Sequence, residues 1–78
     1  MYLVIEIQTN ADGTVGNIVT AHETREEAES KYHTVLAYAA LSELPYHAAV
    51  LLQNDGLLIE RRCYTHLPEP EPLEVGDE

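Results

Sequence analysis

Residues 24–45 constrain the fold more than any other segment, because they carry the start signal, the stop signal and the spacing of one long helix. Thr24 and Glu27 match the capping box, in which the threonine hydroxyl accepts a hydrogen bond from the third helical N–H. Pro45 ends the pattern, since the residue before a proline is driven out of the α region. The side chains expected on the buried face recur at helical spacing: Ala28, Tyr32, Val35, Leu36 and Ala39.

Four segments with strand patterns flank this helix, two on each side. We expect strands at residues 2–9, 14–21, 47–54 and 57–66, where apolar and β-branched residues recur in short runs. Gly13 and Gly56 lie in the turn signals that join each pair into a hairpin. We also expect Gly16 to mark a bulge or a close approach of another chain segment. The sequence therefore predicts an α+β domain of order β-β-α-β-β, a four-stranded antiparallel sheet with one helix packed on one face.

The strands are apolar on both sides, which is unusual for an antiparallel sheet with a single helix layer. We expect the helix to cover the side that holds these residues: Leu3, Ile5, Ile7, Val50, Leu52, Ile59 and Cys63. The second side of the sheet and the surplus apolar surface of the helix then become candidate interfaces between copies of the chain. The predicted interface residues are Tyr2, Val4, Leu51 and Leu58 on the sheet, with Ala37, Tyr38 and Leu41 on the helix.

Chain length also favours self-association. A domain of this size buries too little surface to be very stable alone, and disulfides, metals or oligomerisation usually supplement it. The lone Cys63 allows no disulfide within the chain and fits a reducing compartment. We expect residues 1–66 to form a single domain, and residues 67–78 to form an acidic Pro/Glu-rich disordered tail. A homo-oligomer, either a dimer or a larger assembly, is the expected state.

The charge of the chain limits its partners. The net charge is −10, and residues 1–66 alone carry nine acids against four bases. Such a surface repels nucleic-acid phosphates, so we expect no direct nucleic-acid binding, whereas a basic protein surface remains a possible partner. There is no basic leader before the first strand and no apolar run long enough for a membrane span. We therefore expect a cytoplasmic protein with no membrane contact.

Arg61, Arg62 and Tyr64 are the candidate binding residues. Two adjacent arginines on a strand point to opposite faces, so one of them lies toward the helix layer. Two readings follow. Either that arginine pairs with an acid such as Glu6 or Glu60, or the arginines form a clamp for a small anion such as a nucleotide, completed by symmetry.

No motif points to catalysis. The sequence has no phosphate-binding glycine motif and no nucleophile motif, and Cys63 in mid-strand is expected to be a small core residue. Glu29 and His33 stand one helical turn apart, which is a possible metal spacing, but no second such pair accompanies them. We therefore expect no enzyme activity, no metal and no cofactor.

The run from His22 to Gly56 resembles a family of short proteins of unknown activity encoded in phages and prophages of gut Firmicutes. The resemblance is carried by residues 22–25, 28–33, the alanine-rich 36–42, Pro45 and the following strand with Asp55 and Gly56. It implies a phage setting and no mechanism. The expected function is a non-enzymatic accessory or anti-defence protein, acting as an acidic inhibitor of a host defence protein or by sequestering a nucleotide signal. The alternative is a small structural, virion-associated or assembly protein.

Overall fold

A computed structural model describes residues 1–66 of the chain, so the predicted tail at residues 67–78 lies outside the described residues. The elements follow the predicted order. They are β1 (Tyr2–Thr9), β2 (Val15–His22), α1 (Arg25–Leu41), β3 (Tyr46–Gln53) and β4 (Leu58–Thr65). The α+β fold, with one helix on a four-stranded antiparallel sheet, is confirmed.

Both predicted hairpins form, and a glycine with positive φ sits in each turn. Gly13 has φ +90° and Gly56 has φ +96°, a region in which a residue with a Cβ is strained. In the first turn the Asn10 N–H donates to the Thr14 carbonyl at 2.8 Å. In the second, the Gly56 N–H donates to the Gln53 carbonyl at 2.9 Å. Each turn thus closes its hairpin through backbone hydrogen bonds.

The sheet has the strand order β2-β1-β3-β4, and all neighbouring strands are antiparallel. The central strands are β1 and β3, while β2 and β4 form the edges. The expected bulge at Gly16 is absent, since β1 and β2 pair without interruption from Tyr2–His22 to Thr9–Val15. An irregularity lies instead between β3 and β4, at Leu51 and Leu52.

Helix α1 begins as its capping signal predicts. The Thr24 side chain accepts a hydrogen bond from the Glu27 N–H at 3.2 Å. The helix ends at Leu41, before Pro45, with the Ser42 N–H donating to the Ala39 carbonyl at 3.4 Å. The predicted buried face is confirmed, with Leu36 partly buried and four residues fully buried: Ala28, Tyr32, Val35 and Ala39.

The helix covers the side of the sheet opposite to the one predicted. Val4 and Leu51, expected to face outward, are 1% and 0% exposed and belong to the core under α1. The expectation that Leu3, Ile5 and Ile7 face the helix is therefore wrong. At the contact, Ala28 and Ala39 of the helix and Ala49 of β3 are fully buried. Such small side chains let the helix approach the sheet closely, and this helps to explain why this less apolar side is the covered one.

Candidate functional site: the open face of the sheet

We call the side of the sheet away from α1 the open face. Residues paired across an antiparallel ladder share a face, so the pairing identifies its members. Its centre is apolar and consists of Leu3, Ile5, Ile7, Val19, Val50 and Leu52. Toward the rim, the exposed apolar side chains are Val15, Tyr46 and Leu58. No second layer covers this face in the described residues, and its apolar centre is bordered by the polar residues Thr9, Asn17, Arg61 and Thr65.

The area of the open face can be worked out from its strands. Four strands spaced by about 4.8 Å, each of eight residues rising about 3.3 Å, give a footprint of about 500 Å². The largest apolar patch on a typical monomer is about 300–600 Å² and is often functional. The footprint of the whole face, with the polar residues Thr9, Asn17, Arg61 and Thr65 included, is therefore comparable in area with such a patch.

Charge separates the open face from the rest of the domain. None of the nine acids in residues 1–66 lies on it, because the two acids within strands, Glu6 and Glu60, are in register with Ala49 and Leu51 on the helix side. Arg61 is the one charged strand residue on the open face within the described part of the chain. An acidic domain thus keeps one large surface almost free of charge.

The predicted interface residues of the sheet divide between the two sides. Leu58 lies on the open face and is exposed. Val4 and Leu51 are in the core, and Tyr2 packs against that core from the helix side. Val4 and Leu51 cannot meet a second copy without unfolding the domain, whereas Tyr2 is only partly buried. The period-two alternation along the strands identified two groups of apolar residues, but the prediction assigned the groups to the wrong sides of the sheet.

The predicted interface residues of the helix lie far from the open face. Ala37, Tyr38 and Leu41 are exposed on α1, with Tyr38 71% exposed. Because the helix lies on the opposite side of the sheet, these residues form a separate surface. It is interrupted by polar neighbours such as His33 and Thr34.

The structure brings together two of the three predicted binding residues. The guanidinium carbon of Arg62 lies 4.8 Å from the centre of the Tyr64 ring, on the helix side of β4. The Tyr64 ring stacks on His66, with centroids 6.3 Å apart and an angle of 6° between planes. Arg61 points to the other side. Sequence reasoning missed His66, although the spacing of residues 62, 64 and 66 places all three on one side of a strand.

Neither a reactive thiol site nor a metal site forms at Cys63 or at the helix pair Glu29–His33. Cys63 is exposed on the open face, so its predicted place in the core is wrong. Glu29 forms an ion pair with Arg25 at 2.9 Å. Residues 1–66 contain no group of three or more metal-ligating side chains and no detectable cavity.

A buried polar cluster lies under the helix. His47 Nε2 and Gln8 Nε2 lie 2.7 Å and 2.8 Å from the same Glu6 oxygen, Oε2. Burial raises the Glu6 pKa, but the hydrogen bonds from Gln8 and His47 and the nearby charges of His47 and Lys31 lower it more, and the net pKa is lowered. His47 Nδ1 is buried without a hydrogen-bond partner, so no hydroxyl or thiol extends the pair into a catalytic triad. The cluster positions side chains within the core.

Comparison with protein-family models, with curated proteins and with solved structures found no match for this chain. Within residues 1–66, no helix is long and apolar enough to cross a membrane. The geometry and the charge distribution are therefore the basis for a functional proposal.

Proposed function

We propose that this chain is a non-enzymatic, phage-encoded accessory or anti-defence protein that acts by binding, as a homo-oligomer in the cytoplasm of the host cell. The observation that carries the proposal is the open face, which is apolar and free of acids in an otherwise acidic domain. In this arrangement two copies cover each other's open face, and their acidic surfaces point outward.

Two open faces in contact satisfy the area that association requires. Each copy contributes about 500 Å², so the pair buries about 1,000 Å², which reaches the lower bound for a specific interface. Two sheets pack face to face about 10 Å apart with their strands nearly aligned. Since like charges across such a contact are unfavourable, the acid-free face is the surface through which two chains of net charge −10 approach best.

The acidic surface that stays outside is suited to a basic partner. Glu23, Glu26 and Glu27 are exposed around the start of α1. A negatively charged surface attracts a Lys/Arg-rich protein surface, including one that normally binds nucleic acid. The attraction also increases the rate at which the two proteins associate. The proposed mechanism is therefore charge mimicry, in which the oligomer occupies a basic site of a host defence protein.

A matched pair of variants tests the oligomer. Ile5→Lys places a charge at the centre of the open face, whereas Tyr38→Lys places the same charge on the exposed outer side of α1. In light scattering we expect Ile5→Lys to lower the mass of the assembly with its far-ultraviolet circular dichroism unchanged, and Tyr38→Lys to behave as the unmodified chain. Equal masses for the two variants, or a strict monomer for the unmodified chain at millimolar concentration, would refute the proposal.

Salt tests the basic partner separately. Co-purification with a basic host protein should disappear at about 0.5 M salt, where screening shortens the reach of exposed charges to a few Å. Assembly through the open face should persist or strengthen, because salt screens the repulsion between acidic copies. Presence of the protein in purified phage particles would instead assign the structural or assembly role.

The stacked side chains of β4 favour a second candidate, sequestration of a nucleotide signal. Arg62 over Tyr64, with His66 stacked beyond, offers a cation and an aromatic surface of the kind that phosphate and base groups bind. Titration calorimetry with mono- and cyclic dinucleotides tests this candidate. Heat that is lost in Tyr64→Ala would support it, and no heat with any nucleotide would exclude it.

A further inference from the structure

The two edges of the sheet differ in how they are protected against further strand pairing. Edge strands usually carry charges, prolines or bulges that prevent such pairing. At the β4 edge these devices are present, as Glu60, Arg61 and Arg62 and the irregular pairing with β3. The β2 edge, Val15–His22, contains no Lys, Arg, Asp, Glu or Pro, and its pairing with β1 is regular over all eight residues. Strand β2 is therefore an unprotected edge.

The backbone groups available at this edge follow from the first hairpin. Asn10 and Thr14 are joined by a backbone hydrogen bond, and bonded pairs alternate along an antiparallel ladder. The even residues of β2 therefore bond to β1. The N–H and C=O groups of the odd residues point away from the sheet, namely those of Val15, Asn17, Val19 and Ala21. This row of donors and acceptors has no partner strand in the part of the chain that the structure describes.

We propose that β2 pairs antiparallel with β2 of a second copy, forming one continuous eight-stranded sheet. The two-fold axis of such a pair is perpendicular to the sheet, so both helices lie on the same side and the two open faces merge into one. In such a pair, each residue on the helix side of one β2 must lie opposite a residue on the helix side of the other β2. This condition allows any register centred on a residue, and the two with the greatest overlap of Val15–His22 are centred on Ile18 and on Val19.

The register centred on Ile18 pairs the exposed backbone most completely. It sets Val15 opposite Ala21 and Asn17 opposite Val19 of the other copy, so every outward backbone group of β2 is used. Centred on Val19, the pairing would set Val15 opposite Glu23, beyond the strand. The first register also places the two Ile18 side chains, each 52% exposed, against one another.

A second copy fits this edge better than a foreign peptide, because β2 is complementary to itself. Both strands have the same length and the same apolar alternation, and neither brings a charged side chain into the pairing in a chain of net charge −10. This inference uses a surface distinct from the open face and does not rest on the proposed function. If both contacts form, two such pairs stack through their merged open faces into a tetramer.

A pair of variants at Asn17 tests the backbone pairing by mass. Asn17→Pro removes an N–H that points away from β1, and the preceding Gly16 has no Cβ to clash with the proline ring. Asn17→Ala keeps that N–H and is the control. In light scattering we expect Asn17→Pro to have half the mass of Asn17→Ala, with the same circular dichroism. Equal masses in two folded variants would overturn the proposal.

Disulfide trapping tests the register independently of folding stability. In a Cys63→Ser background, Ile18→Cys brings two cysteines opposite each other at a Cα separation of about 4.5 Å, which a disulfide can span. Gly16→Cys lies on the same side of β2, and a Cβ there meets nothing within 4 Å, but its symmetry mate is about 13 Å away. We expect a covalent dimer for Ile18→Cys alone. No dimer, or equal dimer in both variants, would overturn the proposed pairing.

The open-face contact and the β2 edge contact can be tested separately. Ile18 and Gly16 are on the helix side of β2, so packing of open faces cannot link cysteines placed there. Ile5→Lys disrupts only the open-face contact, and Asn17→Pro disrupts only the edge. If Ile5→Lys leaves the mass unchanged while Asn17→Pro halves it, the edge contact stands and the proposed open-face assembly falls.

Discussion

The Glu6–His47 pair under the helix allows a quantitative test of the buried polar cluster. The side chains of His47 and Glu6 are 5% and 16% exposed, and the two atoms lie 2.7 Å apart. Glu6→Ala removes the common acceptor of His47 and Gln8. A hydrogen bond to a charged group contributes about 1.5–3 kcal/mol, and a buried donor left without a partner costs a similar amount. We therefore expect Glu6→Ala to lower the free energy of unfolding by about 3 kcal/mol at pH 7.

The same pair predicts the direction of a pH dependence. The Glu6 pKa is lowered in the fold: burial raises it, but the hydrogen bonds from Gln8 and His47 and the charges of His47 and Lys31 outweigh that effect. A carboxyl group with a lower pKa when folded stabilises the protein above its unfolded pKa, and that stabilisation is lost as the pH falls through the folded pKa. The unfolded reference is 4.5. The advantage of the unmodified chain over Glu6→Gln should therefore be full at neutral pH and shrink below pH 4.5.

Urea unfolding followed by circular dichroism measures both effects, with all variants compared at the same protein concentration because assembly shifts the apparent stability. Glu29→Ala is the control, because Glu29 also pairs at 2.9 Å but the side chains of Arg25 and Glu29 are 52% and 40% exposed, and we expect a change below about 0.5 kcal/mol. If Glu6→Ala cost no more than Glu29→Ala, the structural role assigned to the buried cluster would be refuted. An advantage over Glu6→Gln that grows on acidification would refute the direction of the Glu6 pKa.

Two further substitutions probe the core and the helix start. Leu51→Ala should destabilise the domain by about 2–5 kcal/mol, because Leu51 is fully buried under α1, and a small change in melting temperature would place it on the open side. Thr24→Ala should cost about 1 kcal/mol in urea unfolding, since it removes the acceptor of the Glu27 N–H, whereas Thr24→Ser should retain most of the stability.

The elements of this fold were predictable because their signals are local. Thr24 caps α1 through an N–H only three residues away, and Gly13 and Gly56 take the positive φ that their turns require. Strand β1 was predicted with its observed bounds, Tyr2–Thr9, because period-two alternation is a property of neighbouring residues. The α+β class followed from the order of these elements.

The candidate site was predicted only in part. Leu58 is exposed, as expected for an outward-facing residue, and Arg62 lies beside Tyr64, but the roles of these residues in assembly and binding stay predictions. The contribution of His66 to the stack and the exposure of Cys63 were missed. The spacing of residues 62, 64 and 66 could have indicated His66, whereas the exposure of Cys63 depends on which side of the sheet the helix covers, and no single strand encodes that side.

The sequence by itself determined that there would be two apolar sets on the strands, one helix and an excess of acids. The tertiary structure alone decided that Val4 and Leu51 enter the core, while Leu3, Ile5 and Ile7 form the open face. The physical reason lies in the β2-α1-β3 connection, which passes over β1 to a parallel strand and is right-handed as a rule. Strand order and register therefore choose the covered side, and both are set by contacts between residues distant in sequence.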